Sequence, residues 1–177
     1  LNFLQTLSGT ATTTRRYAGL IEHTRCRLLD TRKTIPKLRM AQKYAVACGG
    51  GTNHRIGLFD AYLIKENHLA ACGSIEAAVE RGRNLHPDRL LEVEVENLDQ
   101  LQQAIDSQVD RVLLDNFSID ELKQAVALNH GHIELEASGN IGEENLLATA
   151  STGIDFISIG ALTKHLQAID FSLRFSE

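Results

Sequence analysis

The sequence has no tryptophan, and aromatic residues make up only 5% of its 177 positions. With rings this scarce and no RNA-binding motif, platforms for stacked bases are few, and nucleic acid is not an expected partner. No run approaches the ~18 consecutive apolar residues that a membrane span needs, so a membrane role is not expected either. The three cysteines, Cys26, Cys48 and Cys72, form no CxxC pair. That argues against a zinc site and against a disulfide framework, and the expectation is buried free thiols in a cytoplasmic protein. Leu1-Asn2-Phe3-Leu4-Gln5 has neither an initiator Met nor a basic stretch, so it does not read as a signal peptide. It reads as the middle of a helix, as if the chain were cut from something longer.

What is present is enough for one sizeable core. The chain is 43% hydrophobic, and its length suits a single domain. The net charge of -5 conceals an asymmetry: residues 1–65 hold 11 Lys and Arg against three acids, and the rest hold 7 against 20. A basic cluster beside an acidic one suits an anionic ligand that also needs a metal or a hydroxyl partner.

From about residue 26 a βα rhythm sets in. Strands are expected at 27–30, 61–64, 90–95, 111–114, 133–136 and 156–159, and helices at 37–47, 75–83, 98–107, 119–128 and 143–152. Ser74, Asn97 and Ser118 stand at N-cap positions, and Gly131 and Gly153 where helices should stop. Strict alternation implies parallel strands joined by right-handed crossovers. The expected fold is therefore α/β, a parallel (β/α) barrel that is incomplete or open and TIM-like, with a doubly wound sheet as the alternative. Residues 1–26 read as a leading helix interrupted at Ser8-Gly9, and 27–177 as the barrel, with the alternating Phe171–Phe175 segment as a last short strand.

In such barrels the reactive groups collect at the C-terminal ends of the strands. Polar residues do collect there: Asp30-Thr31-Arg32-Lys33, Lys65-Glu66-Asn67-His68, Asp115-Asn116, Ser138-Gly139-Asn140 and Ser158-Ile159-Gly160. In the third strand Glu92, Glu94 and Glu96 share one face, and Leu91, Val93 and Val95 the other. In an antiparallel sheet that pattern means a wet face. In a parallel barrel the apolar set faces the helices, which leaves Glu94 in the lumen with Glu92 deeper and Glu96 at the rim. Asp115 reads equally as the turn residue that starts the next helix. The two late glycine-bearing loops offer backbone N–H groups of the kind that hold phosphate.

The stretch Cys48-Gly49-Gly50-Gly51-Thr52-Asn53-His54-Arg55 ends a helix in a mobile or tight turn, and it lacks the Gly-Lys-Ser/Thr of a P-loop. Arg55 could grip a carboxylate in bidentate fashion, or the His54-Arg55 pair could simply face solvent.

In this order, Asp30-Thr31-Arg32-Lys33-Thr34-Ile35-Pro36, Gly49 through Asp60, Ile64–His68, Glu92–Val95, Leu114–Asn116, Glu136–Asn140 and Ser158–Thr163 resemble the quinolinate phosphoribosyltransferases. The resemblance covers nearly the whole chain. It implies transfer of phosphoribose from phosphoribosyl pyrophosphate to quinolinate with loss of carbon dioxide, giving nicotinate mononucleotide for NAD biosynthesis. It further implies a homodimer or higher homo-oligomer, Mg2+ as cofactor, and an N-terminal α/β sandwich domain ahead of the first residue here. By the same resemblance Arg32, His54, Arg55 and Lys65, with Thr31, surround the quinolinate carboxylates, and Lys33 reaches both substrates. Glu94 and Asp115 bind ribose hydroxyls and magnesium, while Ser138, Gly139 and Asn140 join Ser158, Ile159 and Gly160 around the 5-phosphate. The alternatives are a related phosphoribosyltransferase with another substrate, and a barrel that only binds or assembles.

Overall fold

The computed structural model describes residues 1–175. Helix α1 (Asn2–Leu20) leads into β1 (Arg27–Leu29), α2 (Arg39–Cys48), β2 (Ala61–Ile64), α3 (Glu66–Cys72) and α4 (Ile75–Leu85). Then come β3 (Leu90–Val95), α5 (Leu98–Asp106), β4 (Arg111–Asp115), α6 (Ile119–Asn129), β5 (Glu134–Ser138), α7 (Glu143–Ala150), β6 (Phe156–Ser158) and α8 (Ala161–Lys164). All pairings are parallel, in the order β1-β6-β5-β4-β3-β2. That order is cyclic with one break, between β1 and β2. A doubly wound sheet would reverse direction at a central strand, so this is the open (β/α) barrel. At the break, Thr52 takes the free edge of β1: its N–H donates to Leu28 O at 2.7 Å and its carbonyl accepts from Asp30 N at 3.2 Å. The edge is covered rather than left as a template for association.

The local signals explain the elements. The Ser74, Asn97 and Ser118 side chains accept from Ala77 N, Gln100 N and Glu121 N, and Glu121 closes a capping box back onto Ser118 N at 2.8 Å. Gly153 takes φ 97° just after α7, where only glycine turns without strain. Leu91, Val93, Val95, Val112, Leu114, Leu135 and Ile157 pack outward against Leu101, Leu122 and Leu146, all buried in one core. Each such side chain contributes about 1.5–3 kcal/mol when fully buried.

Several expectations fail. Helix α1 is not interrupted at Ser8-Gly9 but runs straight through. Gly9 is a contact glycine, since a Cβ there would lie 2.0 Å from Gln167 O. Gly9→Ala should therefore lower the unfolding free energy by about 1–3 kcal/mol, the usual cost of overpacking. A urea titration checks this, and wild-type stability would refute the contact. Phe171–Phe175 is not a strand; the chain before it lies along α1, with Ile169 N donating to Gln5 O at 3.1 Å. Alternation without a neighbouring strand to pair makes no sheet. The glycine run after α2 packs tightly, because a Cβ on Gly49 would sit 2.5 Å from Ala11 O in α1. Helices α3 and α8 occupy segments read as loops. Of the three free thiols only Cys26 is buried, and burial pushes its pKa up to about 12; Cys48 is exposed.

Candidate active site at the barrel mouth

Because every strand is parallel, their C-terminal ends share one rim, and the register decides which residues line the lumen. Glu92 pairs with Leu63 and Arg111, Glu94 with Leu113, Glu136 with Leu113, and Asp115 with Ser138. The residues between them belong to the outer core, so Glu94, Asp115 and Ser138 face inward at the upper end. Lys65, at the end of β2, forms an ion pair with Glu94, which is 14% exposed. Glu94 is thus neither wet nor turned among the helices. Glu96 lies beyond the strand and is exposed, as expected of a rim residue.

The loop after β1 docks onto the loop after β6. Thr163 Oγ1 donates to Lys33 O at 2.7 Å, and a Cβ on Gly160 would approach Lys33 Cδ to 3.1 Å and Thr31 Oγ1 to 3.6 Å. Thr31 Oγ1 also accepts from Lys33 N at 3.1 Å. Ser158 is buried beneath this contact. Ile159 has neither side chain nor N–H to offer the mouth: the first is buried in the core and the second donates to Leu29 O at 3.0 Å. Across the rim, the loops after β4 and β5 lock together through Asn140 Nδ2 and Asn116 Oδ1 at 3.1 Å. Gly139 stands at φ 98°, and a Cβ there would meet Asn116 Oδ1 at 2.2 Å, so no other residue fits that turn.

The basic side is held from below. Asp30, fully buried, accepts from Lys43 Nζ at 2.5 Å, Asn53 Nδ2 at 2.7 Å and His54 N at 2.8 Å. Burial raises its carboxyl pKa, and the Lys43 ammonium with these hydrogen bonds opposes the rise. Burial also works against a charge on Asp60, but the N–H groups of Ile56 and Gly57, at 2.6 and 2.8 Å, outweigh it and hold that carboxyl below the usual range. Arg39 ties Ile56 O to Arg32 O. The loop that carries Arg55 is therefore rigid.

Arg55 and Arg32 are half-buried neighbours. Burial first, and then the Arg32 charge, lower the Arg55 pKa. Arg55 Nη1 reaches Ala61 O at 3.3 Å and Arg32 Nη1 reaches Gly57 O at 3.5 Å, which leaves most of both forks without a carboxylate partner. Two adjacent guanidiniums of this kind have the charge and geometry that a dianion would need.

His54 does not join them at the mouth. Its ring turns down the lumen, with the side chain 9% exposed and Nε2 lying 3.1 Å from Glu92 Oε2 and 3.4 Å from Glu136 Oε2. Burial disfavours a charged ring, while the two carboxylates pull the other way. A second ring proton would, however, point at Arg55 N–H, which donates to Nδ1 at 2.7 Å. That bond requires a bare Nδ1, so in this geometry His54 is the neutral Nε2–H tautomer. Burial and the Glu136 charge push the Glu92 pKa up to about 7. Glu136 and Arg111, whose Nη1 lies 3.8 Å from Glu136 Oε2, are site residues that the sequence reading passed over. The signal was present, since Glu134-Leu135-Glu136 alternates on β5 as Glu92-Val93-Glu94 does on β3.

The family model described as "Quinolinate phosphoribosyl transferase, C-terminal domain" matches residues 10–174. A probable nicotinate-nucleotide pyrophosphorylase [carboxylating] of Bacillus subtilis is 43% identical over 98% of this chain and 60% of its own length. The enzyme so named from Mycobacterium leprae is 41% identical over 98% of this chain and 62% of its own. The solved nicotinate-nucleotide pyrophosphorylase of Francisella tularensis superposes with a TM-score of 0.94 at 57% identity, over 96% of this chain and 61% of that one. The chain thus spans about 60% of the length of the curated relatives it matches. With the family model matched over residues 10–174 and relatives above 40% identity over nearly the whole chain, the open barrel has its place: the chain belongs to the quinolinate phosphoribosyl transferase family, as its C-terminal domain.

Proposed function

We propose that this barrel carries most of the site for transfer of phosphoribose from phosphoribosyl pyrophosphate to quinolinate, yielding nicotinate mononucleotide, pyrophosphate and carbon dioxide. The reading is supported above all by the pairing of Arg32 with Arg55 beside an acidic Glu94–Asp115 rim. Quinolinate is a small dianion with carboxylates on adjacent ring carbons, and two neighbouring guanidinium forks match it. Lys65 adds a cation on the far side, and Lys33, exposed over Gly160, can reach both substrates. Ser138, Gly139, Asn140, Ser158 and Gly160 surround the 5-phosphate.

The pyridine nitrogen attacks ribose C1 as the bond to pyrophosphate breaks, so the sugar gains positive charge and the leaving group negative. Glu94 and Asp115 hold the ribose hydroxyls and favour the developing sugar cation, while Lys33 favours the departing oxygen. The adjacent carboxylate then leaves as carbon dioxide, the cationic ring stabilises the electron pair left on that carbon, and a proton from water completes the new C–H bond. Positioning and charge carry this chemistry, with little acid–base work. Glu94 and Asp115, two hard carboxylates on adjacent strands, fit magnesium and would hold it; bound with phosphoribosyl pyrophosphate, the ion would neutralise charge on the leaving group.

The working form we propose is a cytoplasmic homodimer or higher homo-oligomer. Leu58 and Phe59, 77% and 72% exposed, project beside Arg55 and suit a covered face. No helix among the described residues is long and apolar enough to cross a membrane.

The test is a side-by-side assay of quinolinate and nicotinate with phosphoribosyl pyrophosphate, in a protein of the relatives' full length that carries this barrel. Carbon dioxide and nicotinate mononucleotide should form from quinolinate, and preference for nicotinate would overturn the reading. Calorimetry on the barrel itself should show weak quinolinate binding, and no heat at millimolar ligand would reduce it to an assembly module.

A further inference from the structure

We infer that Glu92 and Glu136 are positioning residues for substrate recognition, acting on Arg55 through the His54 ring. The inference deepens the proposed function and rests on it for its kinetic part alone.

The first observation is one of cost. Both carboxylates are completely buried, and all four of their oxygens lack a well-aligned hydrogen-bond partner. Glu92 stands in register with Leu63 and Arg111, and Glu136 with Leu113 and Phe156, so Arg111 is the one charged neighbour that the register gives them. A buried charged group is seldom the more stable choice over a well-packed leucine. Packing alone does not account for two glutamates here.

The second observation is where they aim. Strands β3 and β5 are not neighbours, yet both glutamates converge on one atom, His54 Nε2, at 3.1 and 3.4 Å. The other ring nitrogen accepts the backbone N–H of Arg55 at 2.7 Å. The ring is therefore hydrogen-bonded at Nδ1 and faced by two carboxylates at Nε2. The carboxylate pair keeps the proton on Nε2, which leaves Nδ1 bare for Arg55. Without the pair, the proton is free to move to Nδ1, where it repels the Arg55 N–H and releases the residue that carries the guanidinium. A displacement of about 1 Å at such a group costs up to ~100-fold, and at a group that grips the ground-state carboxylate the loss falls on substrate binding.

Three ligand-type atoms of His54, Glu92 and Glu136 lie within 4.8 Å of one another, a spacing that would also suit a divalent cation. The Arg111 guanidinium, 3.8 Å from Glu136 Oε2, already brings a positive charge to the pair. A metal on Nε2 would also displace the proton on which the argument depends.

The test has an arm that needs no variant and no turnover. Nitrogen-15 NMR of the wild-type chain should show His54 as the single tautomer protonated at Nε2, bare at Nδ1 and coupled to the Arg55 amide. An Nδ1–H ring, a doubly protonated ring at pH 7, or a stoichiometric metal bound at Nε2 would each overturn the inference. The second arm is steady-state kinetics of Glu136→Gln and Glu92→Gln in the full-length protein. KM for quinolinate should rise by about 10- to 100-fold, while KM for phosphoribosyl pyrophosphate and kcat stay within a few-fold of wild type. Folded variants with an unchanged quinolinate KM sink the inference and leave the proposed function standing. A protein that never turns over quinolinate sinks the function while the NMR result still decides the tautomer.

Discussion

Arg55→Ala is expected to lower kcat/KM for quinolinate by at least about 1,000-fold, with far less effect on KM for phosphoribosyl pyrophosphate. Truncating one partner of a buried charge pair costs 2–5 kcal/mol or more, and about 4 kcal/mol corresponds to that factor. Arg55 is placed for this role twice over. Its backbone is fixed by Asp30, Asp60 and the His54 ring, and its charge stands beside that of Arg32. Two guanidiniums held together without an anion repel each other, and the dianion relieves that repulsion as it binds. Arg55→Lys should restore only a small part of the loss, because a point charge cannot reproduce a bidentate fork. Initial rates with each substrate varied in turn measure both outcomes. A variant within 10-fold of wild type would remove Arg55 from the carboxylate site.

Asp30→Ala should be the most damaging single truncation for stability, at about 3–5 kcal/mol, because it leaves the Lys43 ammonium buried and unpaired. Lys43 is only 3% exposed and Asp30 not at all. The same carboxylate also holds Asn53 Nδ2 and His54 N, so the loop that presents Arg55 loosens with it. Urea denaturation with an unchanged m-value gives the loss directly. A loss under about 1 kcal/mol would mean that Asp30 does not anchor the loop. Asp30→Asn separates the two contributions, since it keeps an acceptor for His54 N and loses the charge opposite Lys43.

Much of this architecture is legible in the residues. Alternation in a βα context places Glu94 inward, and the Ser74, Asn97 and Ser118 caps fix where three helices begin. The run of polar residues after each apolar strand marks the rim. The failures share a physical cause. Gly9 reads as a break because its reason, the Gln167 carbonyl, lies far along the chain. The Phe171–Phe175 alternation carries no signal about the missing partner strand. Helix α3 begins at residues that resemble a loop, and its first turn is secured by the His68 ring, whose Nδ1 accepts from Lys65 N at 3.0 Å. The direction of His54 is hidden for a further reason. It sits in irregular backbone, where no period tells inward from outward, and only tertiary hydrogen bonds set it. Glu136 is within reach of the sequence, since its place in the Glu134-Leu135-Glu136 alternation on β5 matches that of Glu94 in Glu92-Val93-Glu94 on β3.

In the proposed function Arg32 and Arg55 together take both carboxylates of quinolinate. A crystal structure with quinolinate bound tests it most directly. The predicted result is a ligand at the C-terminal rim with a carboxylate oxygen within about 3 Å of each guanidinium and its ring nitrogen turned toward Glu94 and Asp115. Quinolinate seated elsewhere, or lying at the rim with either arginine turned away, would contradict it.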